Sequence, residues 1–118
     1  MSVHPEFRDF LIDQLGRVAP RIRARSMFGG VGFYSNRLFF ALADDDTLYL
    51  KVDDLTREAF EQRGMPPFRP FGETGETMSY HALPADLLED TEALLPWVEK
   101  ALAAAARKTK AARSRGRS

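Results

Sequence analysis

Hydrophobic and polar positions follow two different rhythms along this chain. Between residues 5 and 18, apolar side chains recur at spacings of three and four, the period of a helix with one buried side. Pro5 suits the first helical turn, where no backbone donor is needed. Ala19-Pro20 ends the pattern, because a residue before proline avoids helical geometry. The sequence therefore predicts a first helix from Pro5 to Val18.

A strand pattern follows the helix. Short aromatic and aliphatic runs are separated by Gly-Gly, Ser-Asn and Asp-Asp-Asp, which are turn compositions. In the last run, alternation puts Leu48, Leu50 and Val52 on one face and Tyr49 and Lys51 on the other, so we expect one buried and one partly wet face. The predicted strands of this antiparallel meander are 22–28, 31–34, 37–43 and 47–52.

The second half of the chain predicts helices and one or two further strands. Residues 55–63 predict a short helix, with Asp54 as its candidate cap and Gly64 as its end. Residues 65–75 predict a loop with a short edge strand, because their prolines cannot donate to a central ladder. The remaining predicted elements are a strand over 77–82 and helices over 85–89 and 91–106. Pro96 inside the last helix implies a later start or a bend.

The predicted strands cluster in sequence instead of alternating with helices. That order is typical of an α+β domain in which helices cover one side of an antiparallel sheet. A chain of 118 residues with 44% hydrophobic residues has room for one core. We expect one domain over residues 1–106, followed by a disordered basic tail over residues 107–118 that has nothing to bury.

Charge is divided unevenly, although the net charge is zero. The tail carries +6 and residues 1–106 carry −6. The basic residues of the tail are Arg107, Lys108, Lys110, Arg113, Arg115 and Arg117. An acidic body argues against broad adhesion of the domain to a phosphate backbone. The tail could contact nucleic acid by itself, act as a solubilising terminus, or fold loosely against the acidic body.

The chain contains no cysteine, which excludes disulfides, thiolate catalysis, zinc ribbons and iron–sulfur clusters. Its N-terminus lacks the basic and apolar regions of a secretory signal. No apolar run approaches the ~20 residues of a membrane-spanning helix. We therefore expect a cytoplasmic protein with no membrane contact, no cofactor and no metal.

Several short motifs occur together and in a fixed order. They are Arg25-Ser26-Met27-Phe28-Gly29-Gly30-Val31-Gly32, Phe39-Phe40-Ala41-Leu42, Leu48-Tyr49-Leu50-Lys51-Val52-Asp53, Pro67-Phe68, Met78-Ser79-Tyr80, and Leu83-Pro84 ahead of a helix with Trp97 and Ala101. This combination, over residues 7–105, resembles the N-terminal domain of the TfoX/Sxy family. The resemblance implies the order α-β-β-β-α-β-β-α, like that of secretion chaperones. The positions taken as its structural signature are Met27, Phe28, Gly29, Gly30, Gly32, Tyr49, Lys51, Tyr80 and Pro84.

The best-known members of that family are bacterial regulators of competence for DNA uptake, and they carry a second, C-terminal domain. This chain ends in a basic tail instead, so we expect a stand-alone N-terminal domain. The resemblance brings no catalytic residues with it. We expect a non-enzymatic regulatory or adaptor domain that contacts a protein partner, as a monomer or homodimer. The alternatives are a nucleic-acid-binding accessory protein that uses the tail, and a hydrolase-like enzyme.

The glycine-rich motif Gly29-Gly30-Val31-Gly32 could be taken for a phosphate cradle. Such loops are followed by a helix and often by a lysine and a hydroxyl group. A strand follows here, so we interpret the glycines as a tight turn or bulge that needs positive φ and a close approach between strands.

An arginine-rich window from residue 14 to residue 43 contains no acidic residue. Alternation puts Arg21, Arg23 and Arg25 on one side of an extended segment, where they form a candidate anion or nucleic-acid patch. A solvated outer face that pairs with the carboxylates of the body is the interpretation we favour.

Two further sets of residues invite a chemical interpretation. Asp44-Asp45-Asp46 with Asp53-Asp54 could suggest a metal site, but a calcium loop needs spaced ligands and a later glutamate, so turn capping is favoured. Ser79 and His81 share a face of a predicted strand. A hydrolase would also need an orienting carboxylate, an oxyanion hole and a pocket.

The aromatic residues of the strands are expected to lie mostly in the core. They are Phe33, Tyr34, Phe39, Phe40, Tyr49 and Tyr80. Adjacent residues of a strand point to opposite faces, so one of Phe39 and Phe40 must pack under a helix or mark a contact surface. A stacking surface for single-stranded nucleic acid is the alternative.

Overall fold

The computed structural model describes residues 3–27, 29–69 and 79–115, with side chains up to residue 112. The elements are helix α1 (Pro5–Val18), strands β1 (Ile22–Met27), β2 (Gly30–Ser35), β3 (Leu38–Asp44) and β4 (Thr47–Lys51), helix α2 (Arg57–Gln62), strand β5 (Tyr80–Leu83), and helices α3 (Ala85–Glu89) and α4 (Thr91–Arg115). The predicted α+β class is confirmed, and α1 begins and ends at the predicted residues.

The five strands form one antiparallel sheet in the order β1-β2-β3-β4-β5. Four strands precede α2 and one follows it, as the strand patterns predict; the order implied by the family resemblance divides the same five as three and two. The β3–β4 turn is a two-residue hairpin in which Asp45 and Asp46 have φ values of 50° and 56°. Both residues are left-handed, as a type I′ turn requires, so the aspartate run serves the turn.

One face of the sheet is the core. Alternate residues of the strands point to this face. They form one cluster of buried side chains with residues from all four helices. The largest fully buried members are Phe33, Phe40, Phe60, Leu11, Leu15, Leu48, Leu50, Leu94, Val52 and Val98. Within the described residues, the helices therefore pack on one side of the sheet, as predicted.

A β-bulge decides which of the two adjacent phenylalanines enters the core. Phe33 pairs with Ala41 and Tyr34 pairs with Phe39, so Phe40 is the extra residue of β3. Phe40 is fully buried among the core residues, whereas Phe39 lies beside Tyr34 on the opposite face. The expectation that the two rings point to opposite faces is confirmed.

Each glycine of the glycine-rich motif has a steric reason. Gly29 has a φ of 80° in the β1–β2 turn. A Cβ on Gly30 would lie 2.4 Å from the carbonyl oxygen of Ala43. A Cβ on Gly32 would lie 2.5 Å from the methyl carbon of Met27. The interpretation as a turn with close strand approach is confirmed. Phe28, part of the same signature, lies outside the described residues.

The start of the second helix differs from the prediction. Helix α2 begins at Arg57, and Asp54 does not cap it; the side chain of Asp53 instead accepts a bond from the Leu55 amide at 3.1 Å. This local bond holds the two residues before the helix in a turn. Gly64, with a φ of 73°, follows the helix end as predicted.

The predicted edge strand is reduced to a bridge between Pro67 and His81, with Phe68 donating to the Tyr80 carbonyl at 2.8 Å. The predicted strand over 77–82 begins only at Tyr80; residues 70–78 lie outside the described residues.

Helix α4 is longer than predicted. It starts at Thr91 with Pro96 inside it, so a start after the proline is wrong. It then continues to Arg115, so the expected disorder is wrong for residues 107–115. Ala, Lys and Arg are strong helix formers, and the helix already begun upstream carries no new nucleation cost. None of the described helices is long and apolar enough to span a membrane.

Candidate functional site

A row of side chains crosses the face of the sheet opposite the helices, with one residue from each strand. In strand order it consists of Arg23, Tyr34, Phe39, Lys51 and Tyr80, and we call it the outer row. Arg23 pairs directly with Tyr34, Tyr34 with Phe39, and Lys51 with Tyr80. Directly paired positions bring Cβ atoms about 4.5–5.5 Å apart, so pairing joins the row within β1 to β3 and within β4 and β5. The contact between the Phe39 and Tyr80 rings connects the two parts.

The rings of the outer row are in contact. Tyr34 and Phe39 are stacked with centroids 5.0 Å apart, and Phe39 lies 6.0 Å from Tyr80. The Arg23 guanidinium carbon lies 5.8 Å from the centre of the Tyr34 ring, a cation–π distance. The Cβ-free position at Gly32 leaves space under this row for the Phe39 ring. The stacked rings of Tyr34 and Phe39 therefore have a neighbour on each side, Arg23 beside Tyr34 and Tyr80 beside Phe39.

Exposure falls along the outer row from β1 to β5. Arg23 is exposed, and Tyr34 and Phe39 are half-buried. Lys51 and Tyr80 are only 5% and 4% exposed. Beside the row, Tyr49 packs against Phe68 with centroids 4.4 Å apart. The accessible part of this face is therefore the arginine and aromatic end formed by β1, β2 and β3.

The buried end of the outer row holds an amine in an unusual setting. Lys51 Nζ lies 3.3 Å from the Tyr80 hydroxyl and 4.7 Å from the centre of its ring. Burial, and then the neighbouring charge of Lys108, lower the pKa of Lys51 to about 8. Burial raises the pKa of the Tyr80 hydroxyl to about 12, so it remains a neutral donor. The sequence predicted that Lys51 lies on the partly wet face, and its burial was missed.

The basic tail is joined to this end of the sheet. Arg107 binds Asp53 with both arms of its guanidinium, Nε to Oδ2 at 2.5 Å and a terminal nitrogen to Oδ1 at 3.0 Å. The guanidinium lowers the pKa of the Asp53 carboxyl. Of the predicted contact residues in the tail, Arg107 is thus paired with the body, Lys108 lies beside Lys51, and Lys110 is exposed. Those whose side chains lie outside the described part are Arg113, Arg115 and Arg117.

The predicted arginine patch is formed only in part. Arg23 and Arg25 are exposed on β1, on the same face as Tyr34. Arg21 lies ahead of the strand with a φ of 51°, so strand alternation does not align it with the other two. The extended segment that the prediction assumed begins one residue later, at Ile22.

Ser79 and His81 were predicted to share a face of one strand, and this prediction is wrong. Ser79 precedes β5 and is exposed, while His81 lies on the core face and is 3% exposed. The Nδ1 atom of His81 lies 2.7 Å from the Met65 carbonyl oxygen, and its ring lies 6.1 Å from Phe60. His81 is a core histidine whose polar atom is satisfied by the backbone.

The aspartates of the suggested metal site are used in other ways. Asp46 binds His4, Asp53 binds Arg107, and Asp54 binds Arg57 at 2.8 Å. Among the described residues, no group of three or more possible ligands could hold a metal ion.

The pair of His4 and Asp46 should be visible in a titration. The Asp46 carboxylate accepts bonds from the His4 amide, at 2.9 Å, and from its ring, and raises the pKa of His4 above 6.5. The same bonds lower the pKa of Asp46. A raised histidine pKa means that the stabilisation is present at acidic pH and is lost as the pH rises through the folded-state value. We expect an NMR titration to give His4 a pKa above 6.5, which returns to about 6.5 in Asp46→Asn. Identical values in the two proteins would contradict the pairing.

A comparison with protein-family models matches residues 13–105 to the TfoX N-terminal domain. The match covers most of the 118-residue chain and confirms the resemblance seen in the motifs. No curated protein matches the chain.

Proposed function

The chain belongs to the TfoX N-terminal domain family, and from that premise we propose that it is an adaptor domain that binds another protein through the accessible end of the outer row and catalyses no reaction. The coarser assignment as a regulatory-type domain rests on the family. The mode of action by protein contact rests on the surface described above.

The observation that carries the proposal is the packed arginine and aromatic surface of Arg23, Tyr34 and Phe39. Tyrosine, phenylalanine and arginine are enriched in protein–protein interfaces, and tyrosine and arginine in the residues that dominate binding energy. These rings are stacked at 5.0 Å and already ordered, so little side-chain entropy would be lost on binding. Within the described residues, every helix packs on the opposite face and leaves this end half-exposed.

Charge favours a protein partner over a nucleic acid. Residues 1–106 carry −6, which opposes the counterion release that drives phosphate-backbone binding. Arg107, the first basic residue of the tail, is paired with Asp53, and the described part of the tail continues α4 as helix to Arg115. Both features reduce the number of cations that could neutralise phosphates.

Affinity capture with quantitative mass spectrometry tests the proposal. The bait is the full chain, compared with a Tyr34→Ala/Phe39→Ala double variant. Phe10→Ala on α1 is the matched control, because Phe10 is 37% exposed but belongs to the helix layer. We expect specific partners of the wild type to be retained by Phe10→Ala and reduced at least tenfold by the double variant. Equal capture by all three folded proteins would remove the proposal.

A second candidate function is the binding of single-stranded nucleic acid by the same surface. It is favoured by one observation: Arg23 lies over the Tyr34 ring with Arg25 exposed beside it, and stacking rings next to cations suit unpaired bases. Fluorescence anisotropy with labelled DNA and RNA at two salt concentrations tests it. Salt-sensitive binding that is lost in Arg23→Ala/Arg25→Ala would favour this function over the first.

A further inference from the structure

The two outermost strands of the sheet differ in how their free edges are used. The edge of β5 is bonded to the segment before it: the Phe68 amide donates to the Tyr80 carbonyl, and the Ala82 amide donates to the Pro66 carbonyl, both at 2.8 Å. Strand β1 lies at the other end of the sheet, and among the described residues no segment pairs with its outer edge. In the described part of the chain, this edge is open.

The ladder between β1 and β2 determines which backbone groups face the open edge. The Asn36 amide donates to the Arg21 carbonyl at 3.3 Å, where the β1–β2 register continues past the strand ends. Hydrogen-bonded pairs recur at every second residue of an antiparallel ladder, so Arg23 and Arg25 direct their backbone groups to β2. The residues that direct theirs outward are Ile22, Ala24 and Ser26. Their amides and carbonyls are the groups to which an added strand binds.

The outer face of this edge is basic. Arg23 and Arg25 are exposed on it, and residues 14–43 contain no acidic residue. Among the described residues, no carboxylate forms an ion pair with either arginine, although residues 1–106 carry a net charge of −6. Both guanidinium groups are therefore available to carboxylates of another chain.

A second copy of this chain would fit the edge poorly. If two β1 strands paired antiparallel through their outward groups and were centred on Ala24, Arg23 of each copy would face Arg25 of the other. Like charges directly opposite each other are destabilising. An extended segment with acidic side chains at alternate positions would instead place a carboxylate opposite each arginine. The charge of the edge therefore favours an acidic strand over self-association.

The helix side of the same edge has room for a side chain. Ser26 lines a cavity of about 300 Å³ together with Val3, Pro5 and the half-buried Arg8. In an added strand, the residues between the acidic positions point to this side, because successive side chains alternate. The residue opposite Ser26 would lie at the cavity. Pockets for alternate side chains provide the specificity of strand addition.

We propose that the open edge of β1 binds an extended acidic segment of a partner protein, which joins the sheet as a further strand. Its backbone bonds to the outward groups of Ile22, Ala24 and Ser26. Its alternate carboxylates bind Arg23 and Arg25, and one intervening side chain enters the cavity. This inference rests on the proposed function, since it names the chemistry by which the protein partner reaches the accessible end of the outer row.

A synthetic peptide tests strand addition on the full chain. The probe is fluorescein-labelled Thr-Glu-Val-Glu-Val-Glu-Thr, and fluorescence anisotropy measures its binding. Valine amides of the bound peptide face β1 and glutamate amides face away. N-methylation of the valine amides should therefore weaken binding about tenfold or more, whereas N-methylation of the glutamate amides should leave it nearly unchanged. Glutamine in place of glutamate should also weaken binding.

Amide hydrogen exchange of the ¹⁵N-labelled chain distinguishes strand addition from a purely electrostatic contact. Saturation with the peptide should slow exchange about tenfold or more at Ile22, Ala24 and Ser26, whose amides point to the edge. The amides of Arg23 and Arg25 are bonded to β2 in the free chain, so their exchange should change much less.

Arg25→Glu tests the charge of the edge, with Arg37→Glu as the matched control. Both arginines are exposed, but Arg37 lies in the turn between β2 and β3 and not on β1. Arg25→Glu should weaken binding of the peptide about fivefold or more, and it should bind a peptide with lysine in place of glutamate better than the wild type does. Arg37→Glu should bind the original peptide as the wild type does.

Four results would overturn the proposal. They are no saturable binding up to about 1 mM peptide, equal binding of the two N-methylated peptides, and tighter binding of a single-stranded DNA of equal charge than of the peptide. The fourth is exchange at Ile22, Ala24 and Ser26 that is slow in the free chain and becomes fast on dilution, since a second copy would then cover the edge.

The outcome is separable from that of the proposed function. If the peptide fails while the Tyr34→Ala/Phe39→Ala variant still loses its captured partners, the outer row remains the contact surface and only strand addition is wrong. If the peptide binds as expected while capture is equal in all variants, the edge binds acidic strands and the role of the outer row is wrong.

Discussion

Phe40→Ala is expected to lower the free energy of unfolding by about 3–5 kcal/mol, the usual cost of deleting a fully buried phenylalanine ring. Phe40 is the bulge residue of β3, is 0% exposed and lies in the core cluster. A domain is stable by only about 5–15 kcal/mol, so this single change should remove a large fraction of the total stability. Equilibrium urea denaturation measures the loss.

The adjacent residue provides the matched control. Phe39 has the same side chain but lies half-buried in the outer row, where it contacts Tyr34 and Tyr80. Because it leaves no closed cavity, Phe39→Ala should cost only about 1–2 kcal/mol. Equal losses of stability in the two variants, or a larger loss in Phe39→Ala, would contradict the assignment of Phe40 to the core and Phe39 to the opposite face.

Gly30→Ala is expected to cost about 1–3 kcal/mol, the range for forced overpacking. The new Cβ would lie 2.4 Å from the Ala43 carbonyl oxygen, which is backbone of the neighbouring strand and cannot move without disturbing β3. Gly32→Ala should cost less, because the atoms that its Cβ would meet belong to side chains, the end of Met27 at 2.5 Å and the Phe39 ring at 2.9 Å, and not to the backbone. Thermal or urea denaturation gives the order of the two variants.

Gly16→Ala is the control for the glycine series. Gly16 lies inside α1 with no atom within 4 Å of an added Cβ. Alanine there should raise stability by up to about 1 kcal/mol, through helix propensity alone. A Gly30→Ala protein as stable as Gly16→Ala would contradict the steric interpretation of the glycine-rich motif.

Much of the fold follows from local patterns in the sequence. The apolar spacing and the flanking prolines give the bounds of α1 without error, because both signals are local and strong. The strands β2 and β3 are predicted to within one residue at each end. The bulge at Phe40 could not be predicted, since alternation says that neighbouring side chains diverge but not which of them faces the core.

The candidate site depends on contacts between parts of the chain that are distant in sequence, and the sequence did not predict them. The composition of the tail suggests disorder, but the ion pair of Arg107 with Asp53 spans 54 residues and has no local signal. The burial of Lys51 likewise depends on Tyr80 and Lys108, which come from other elements. The start of α2 was misplaced because residues 54–56 form a turn, held by the bond from the Leu55 amide to Asp53, and the N-cap position falls at Thr56 instead of Asp54.

Chemical-shift mapping of the captured partner on the ¹⁵N-labelled chain tests the central claim most directly. We expect the shifted amides to cluster on strands β1 to β3, at Arg23, Arg25, Tyr34 and Phe39. Shifts centred on α1 and α3, or on Ser79 and His81, would show that the partner binds elsewhere and would contradict the assignment of the outer row as the contact surface.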